Sequence, residues 1–344
     1  MVAIKDGTDI FSPLSDERER LAQRLDEHCR ETIGDQAGQL TMAVNHALAS
    51  RGKYIRALLL LDACRAVGGD PDVIFPAALS TEYGHIASLI HDDIMDGDTV
   101  RRGQDTVHVR YGLDAAVLAG DAFIFMAFLG YVECHDQGVS AERALEAIRK
   151  LSLTCIAMSR GQALEADMVG RPEATEEAYF DVVRLKTAAF CRAVCEIGAL
   201  LGGGDERAIS ALGSFGDNLG VAFQVVDDVL CYDLTAMGLG KSTLSDLRNR
   251  RVTLPVIYAL QMGAPGERSR VRELFAAQCD DEGALRDQHA ELTGILHSTG
   301  ALERARTVSQ AHTQLARANL GLLPPSDARE RLAALVTLLA VRDR

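Results

Sequence analysis

The chain has 344 residues, 47% of them hydrophobic and 25% charged, with only eight prolines and no tryptophan. That length can bury a large core in one domain or two, and the abundance of Ala, Leu, Arg and Glu favours helix over strand. A formal charge of −13 argues against a nucleic-acid partner, whose phosphates need a basic surface, yet a local basic patch would still serve a phosphorylated small substrate.

Residues 1–14 read as a flexible N-terminal arm ending at Ser12-Pro13, ahead of one all-α domain over 15–344. The arm lacks a secretory pattern, and no uncharged apolar run reaches the roughly 18 residues that span a bilayer. The eight cysteines form no CxxC pair and read as thiols of a reducing cytosol, so a cytoplasmic protein without a transmembrane segment is expected.

From Ser15, the residues Leu21, Leu25 and Cys29 share one helical face; Gly34 and Gly38 break the pattern, and a second helix starts near Gln39. Arg51-Gly52-Lys53-Tyr54-Ile55-Arg56 then opens the apolar run Ala57 to Leu61. Lys53 and Arg56 stand one turn apart at a helix start, where free backbone amides already favour anions. Taken alone, they read more readily as a snorkelling surface pair.

After a turn at Gly68-Gly69-Asp70-Pro71, a helix from about Pro76 runs into Ser88-Leu89-Ile90-His91-Asp92-Asp93-Ile94-Met95-Asp96, with Arg101-Arg102-Gly103 just beyond. On a helix, Asp92, Asp93 and Asp96 fall within an arc of about 100°. Unpaired, they would repel at the negative pole of the helix. Divalent cations between them reverse that balance, and hard oxygen ligands suit Mg²⁺ shared with a substrate phosphate. A lone acidic helix end is as readily a solvated surface, so the rest of the chain decides.

Gly112 to Tyr131, carrying Phe123, Phe125 and Phe128, is almost wholly apolar and is expected to be central and buried on most sides. Ala141 to Met168 is a helix interrupted at Gly161-Gln162; Thr175 to Leu201 is the next, with Lys186-Thr187 inside it. Gly202-Gly203-Gly204 is a loop. A helix from about Glu206 to Tyr232 holds a second acidic pair in Phe223-Gln224-Val225-Val226-Asp227-Asp228, flanked by buried-looking Val and Leu. Met237 to Arg251 reads as a polar loop, Thr253-Leu254-Pro255 starts another helix, and about four amphipathic helices follow, separated at Asp280-Asp281, Gly300 and Pro324-Pro325. No alternating β segment is evident.

Two acidic clusters on otherwise apolar helices are expected if both face one cavity and hold, through metal, a single diphosphate. Arg101, Lys186 and Lys241 would finish neutralising that anion. Lys53, Arg56 and Arg102 would hold a second diphosphate without metal. A diphosphate leaving an allylic carbon is stabilised as charge builds on it.

These residues, from about Gly52 to Leu260, give the chain a resemblance to the trans-isoprenyl diphosphate synthases, also called polyprenyl synthetases. The order is Gly52-Lys53-x-x-Arg56, His85, Asp92-Asp93-x-x-Asp96, Arg101-Arg102-Gly103, Gly161-Gln162, Lys186-Thr187, Phe223-Gln224-x-x-Asp227-Asp228, Gly240-Lys241, Asp246-Leu247 and Thr253-Leu254-Pro255. The resemblance implies an all-α, isoprenoid-synthase-type bundle of antiparallel helices around a central cavity, as a homodimer. It implies head-to-tail condensation of isopentenyl diphosphate with an allylic diphosphate, with Mg²⁺ as cofactor, three ions when diphosphate is bound. By position, Lys53, Arg56, His85 and Arg102 match the family's isopentenyl diphosphate site. Asp92, Asp93, Asp96, Arg101, Gln162, Lys186, Gln224, Asp227, Asp228 and Lys241 match its metal and allylic diphosphate site. Thr187 matches the threonine near the reacting carbons.

In this family the residues just before the first aspartate set the floor of the elongation tunnel. Here Ala87 and Ser88 are small, Gly84 also leaves room, and Tyr83 or the phenylalanines beyond are the expected blocks, so a product of twenty carbons or more is expected. Cys231 stands where a third aspartate is common in the second motif, and Asp233 lies about 240° around from Asp227, too far to stand in for it. Ala57, Asp105, Leu244 and Arg251 are further departures, and they bear on substrate more than on fold.

Three rivals remain. A prenyltransferase using a non-isoprenoid acceptor would not need the Lys53, Arg56, His85 and Arg102 set. A class I terpene cyclase would show an Asn/Asp-x-x-Ser/Thr-x-x-x-Glu motif, which the last helices lack. A non-catalytic partner subunit of a synthase would show eroded carboxylates, and only Cys231 looks eroded.

Overall fold

The computed structural model describes residues 15–34, 38–232, 244–276, 279 and 281–340, the last three without their side chains. The expected arm over 1–14, and with it Asp233, Gly240 and Lys241, lies outside the described residues. The chain is all-α, with helices α1 (Ser15–Ile33), α2 (Gln39–Ala49), α3 (Ile55–Ala66), α4 (Phe75–Asp96), α5 (Val107–Tyr111) and α6 (Leu113–Asp136) in its first part. Next come α7 (Ala141–Met168), α8 (Glu176–Val183), α9 (Ala189–Leu201), α10 (Glu206–Leu230), α11 (Ser245–Arg248) and α12 (Leu254–Met262). The last four are α13 (Pro265–Ala276), α14 (Glu282–Ser298), α15 (Ala301–Leu320) and α16 (Asp327–Ala340), with breaks at the three places the sequence marks.

The described residues fall into two compact units, the first within 15–61 and 70–145 and the second within 62–69 and 146–340. In unit 1 the central helix is α4. Every residue from Phe75 to Tyr83 is buried, and α6 packs along it. α6 is apolar as expected but not buried on most sides. Phe123, Met126 and Tyr131 face the core, whereas Leu118, Leu129 and Val132 are exposed and Phe125 is 72% exposed. By length and composition α6 is also the one described helix apolar enough to cross a membrane, with half of that stretch buried. The only described strands are β1 (Val100–Arg101) and β2 (Gln104–Asp105), an antiparallel pair of two residues each, too short to leave an alternation in the sequence.

In unit 2, α10 lies against α9 and α15. The starts of α8, α10 and α14 are capped by Thr175, Asp205 and Asp281, whose side chains accept the backbone N–H three residues on, satisfying amides a helix start leaves open. A core of Val225, Val229, Tyr232, Leu254 and Tyr258 with residues of α13 to α15 closes around the end of α10.

Three expectations for this unit change. α7 runs unbroken through Gly161. Glycine there admits a neighbour, since a Cβ would meet Lys186 N at 2.7 Å and Leu185 Cβ at 3.0 Å. The expected helix from Thr175 to Leu201 is divided by a π-helical turn over Arg184–Ala188, which carries Lys186 and Thr187. Such turns widen a helix locally and occur often at functional sites. The expected loop before Thr253 contains the short helix α11.

Candidate active site

α4 carries the first acidic motif to its C-terminal end, where the Gly97 N–H closes onto the Asp93 and Ile94 carbonyls. Asp92 and Asp96 are half-buried and Asp93 is buried. Arg101, one residue before the β1–β2 turn, donates from Nε to Asp93 Oδ1 at 2.6 Å. Burial raises the Asp93 pKa above the ordinary carboxylate value, and the Arg101 hydrogen bond and charge work against that rise.

Beside this pair unit 1 opens a cleft whose lining includes Gly52, Tyr54, Glu82, His85, Asp93, Arg101 and Arg102. Two non-glycine residues on its wall have left-handed backbones, Tyr54 at φ 54° and Arg102 at φ 52°; such conformations persist only where the surroundings enforce them. Arg102 donates from Nη1 to the Ser50 carbonyl at 2.6 Å. It passes so close to Gly52 that a Cβ there would meet Nη1 at 3.2 Å. Lys53 is exposed and Arg56 half-buried, with Arg56 Nη1 at 3.3 Å from His85 Nε2.

Arginine can only donate, so His85 Nε2 is the acceptor and the ring hydrogen sits on Nδ1. Burial, and then the charges of Arg56, Arg102 and Arg101, hold the His85 pKa well below 6.5, leaving the ring neutral. The unfolded chain takes up this proton near pH 6.5 and the folded chain resists it, so the contribution is present above 6.5 and is lost as pH falls toward the depressed folded value. Between pH about 7.5 and about 5.5, His85→Gln should lose less stability than the wild type in urea melts. Equal losses in the two proteins would refute this.

In unit 2, two groups of side chains form around the π turn. Lys186 Nζ donates to Glu165 Oε2 at 2.6 Å, and Arg251 stands 4.0 Å from the same oxygen and 3.9 Å from Asp246. Gln162, one turn before Glu165 on α7, has its Oε1 buried with no partner among the described residues. Thr187 Oγ1 donates to Gln224 Oε1 at 2.8 Å, and Gln224 Nε2 donates to Asp228 Oδ1 at 2.9 Å. The other Asp228 oxygen accepts the Tyr179 hydroxyl at 2.6 Å. Burial, then the Asp246 carboxylate, pushes the Asp228 pKa up to about 7. Asp227 is half-buried. Cys231 packs half-buried against the core, and its carbonyl accepts His289 Nε2 at 2.8 Å.

Sequence reading missed Glu82, Glu165 and Tyr179. Glu165 had a signal, the Gly161-Gln162-x-x-Glu165 spacing; a glutamate in an apolar helix start and a lone tyrosine offered little.

Of the residues expected to set product length, Tyr83 and Ala87 are buried, and Gly84 and Ser88 are half-buried. The Tyr83 hydroxyl lies 2.9 Å from His28 Nδ1 and donates to the Leu25 carbonyl at 3.2 Å. Its ring stacks on Phe123 at 5.8 Å.

A family model described as polyprenyl synthetase matches residues 38–292. A short chain isoprenyl diphosphate synthase of Methanothermobacter thermautotrophicus is 36% identical over 325 residues, 94% of this chain and 97% of the relative. A geranylfarnesyl diphosphate synthase of Aeropyrum pernix is 34% identical over 309 residues, 89% of this chain and 95% of the relative. Among solved structures, a polyprenyl synthase of Caulobacter crescentus complexed with calcium and isoprenyl diphosphate superposes with a TM-score of 0.87 at 27% identity, covering 99% of this chain and 100% of that one.

Proposed function

Because the chain belongs to the polyprenyl synthetase family and is thereby a trans-prenyltransferase, we propose that it condenses isopentenyl diphosphate head-to-tail with an allylic diphosphate. The product is a trans-polyprenyl diphosphate of twenty carbons or more. The observation that carries this reading is the cleft of unit 1, where His85, Arg101 and Arg102 line one space with the carboxylate of Asp93. A site for an acceptor diphosphate thus adjoins a metal-binding motif.

The family works with divalent cations, and the donors here fit Mg²⁺. No three of the described His, Cys, Asp or Glu side chains converge to hold an ion unaided. Mg²⁺ keeps waters and takes one or two carboxylates with substrate phosphate, and Asp92, Asp93 and Asp96 supply hard carboxylate oxygens at the end of α4. The buried Gln162 Oε1 is an acceptor that would take a hydrogen bond from a ligand held there. Asp92, Asp93, Asp96, Asp227 and Asp228 are assigned to three such ions, which when bound neutralise the charge gathering on the leaving diphosphate.

The chain's own groups then divide the work. Lys53, Arg56, His85 and Arg102 hold isopentenyl diphosphate, His85 through its Nδ1–H. Arg101, Gln162, Lys186 and Lys241 hold the allylic diphosphate, and Lys186 leaves Glu165 to do so. The allylic C–O bond breaks with its electron pair going to diphosphate. The double bond of isopentenyl diphosphate attacks the allylic cation, and the proton then lost passes to the released diphosphate. Thr187 gives its hydrogen to Gln224, so it offers lone pairs to that cation.

Residues 15–344 are assigned to one catalytic domain. Two copies pair through the α6 face of Leu118, Phe125, Leu129 and Val132, whose shared exposure suits a contact surface, and the enzyme works in the cytoplasm.

Incubation with Mg²⁺, isopentenyl diphosphate and allylic diphosphates of increasing length, followed by product analysis, tests the reading. Chain-extended diphosphates support it; absence of isopentenyl diphosphate consumption refutes it. Within this scheme Cys231 packs rather than ligates, because a thiolate is a poor partner for Mg²⁺. Cys231→Ala should therefore keep turnover within about threefold of wild type. Collapse of activity in the folded variant would overturn the assignment.

A further inference from the structure

Glu82 is a carboxylate where burial is costly. It is 3% exposed, on α4 one turn before His85, and it lines the same cleft as His85 and Arg102. Its Oε1 accepts the Ala57 N–H at 3.1 Å, in the first turn of α3, the turn that carries Arg56. Burial raises its pKa, and the positive charges of Arg56 and Arg102 oppose that rise, the former more strongly. One turn further along α4, His85 lies at 3.3 Å from Arg56 Nη1. The first turn of α3 is thus gripped at its backbone by Glu82 and at its side chain by His85.

A plain capping role would account for the Ala57 hydrogen bond, but that bond needs only an acceptor. A neutral glutamine would serve and would avoid desolvating a charge. What a glutamine would not do is offset the mutual repulsion of Arg56 and Arg102. A buried carboxylate is tolerated where cations surround it, and here those cations are the ones assigned to a substrate.

We propose that Glu82 is a positioning residue for isopentenyl diphosphate, its charge holding Arg56 and Arg102 in the arrangement that receives the acceptor's diphosphate. The inference rests on the function proposed above. It adds a residue outside the basic set and predicts an effect confined to one of the two substrates.

The test is calorimetric titration of isopentenyl diphosphate into wild type, Glu82→Gln and Glu82→Asp, with turnover measured in parallel and folding checked by circular dichroism. Glu82→Gln keeps the acceptor for Ala57 and loses the charge. Its Kd and KM for isopentenyl diphosphate should rise about tenfold, while the allylic KM and kcat stay within about threefold. Glu82→Asp keeps the charge and should stay within about threefold in both. Unchanged or tighter binding in Glu82→Gln overturns the proposal, as does an equal loss for both substrates. If neither variant folds, Glu82 is purely structural and the proposal fails. Wild type that binds isopentenyl diphosphate without turning it over refutes the proposed function and leaves the Glu82 comparison standing. Wild type that does not bind it refutes both.

Discussion

Asp92→Ala should lower kcat/KM at saturating Mg²⁺ by more than about a hundredfold while the protein stays folded, since losing one metal-mediated contact to a leaving diphosphate costs at least ~3 kcal/mol. The choice among the three aspartates of the motif follows from their surroundings. Asp93 is buried and paired with Arg101, so removing it would strand a guanidinium and confound catalysis with folding. Asp92 is half-buried, so its loss reports on the chemistry. Asp227, half-buried on α10, should behave in the same way. Asp228 is the poorer probe, because both its oxygens accept hydrogen bonds from Tyr179 and Gln224. The measurement is initial rates against Mg²⁺ concentration alongside thermal melts. Near-normal activity in a folded Asp92→Ala would sink the assignment of the first motif to metal.

The order of the acidic and basic motifs was legible because it lives in residue type and spacing, and the helix breaks at Gly34, Gly300 and Pro324 because those residues interrupt a regular pattern. Less legible was anything that depends on a partner. Gly161 reads as a break by propensity, yet the helix continues because the glycine admits the Lys186 backbone. The apolar composition of α6 shows what avoids water without showing what covers it, so Phe125 reads as core and is found facing outward. The π turn at Lys186-Thr187 has no counterpart in periodicity, being one extra residue in a helical run. Glu82 and Tyr179 are solitary polar residues in apolar stretches, and their work appears only when the neighbouring helix supplies an N–H or a carboxylate.

Ser88→Phe should shorten the main product from twenty carbons or more to fifteen or fewer. Ser88 lies one turn before Asp92 and about 40° around from it on α4, on the face from which a growing chain would extend. Its own hydroxyl only returns to the His85 carbonyl at 2.8 Å, and it is half-buried, so a larger side chain can be accepted without opening the core. Ala87 is 2% exposed, and a ring there would overpack the helix. Tyr83 is fully buried, with His28 and the Leu25 carbonyl on its hydroxyl, and sits about 180° from Asp92, so changing it would test stability before length. Each five-carbon unit added buries more apolar surface at roughly 25 cal/mol per Å². An open path therefore favours elongation, and a phenyl ring ends it by removing the space. Chromatography of products from one allylic primer and excess isopentenyl diphosphate reads the result directly. A wild type that stops at farnesyl diphosphate, or a folded Ser88→Phe with an unchanged product, would show that this face of α4 does not set the length.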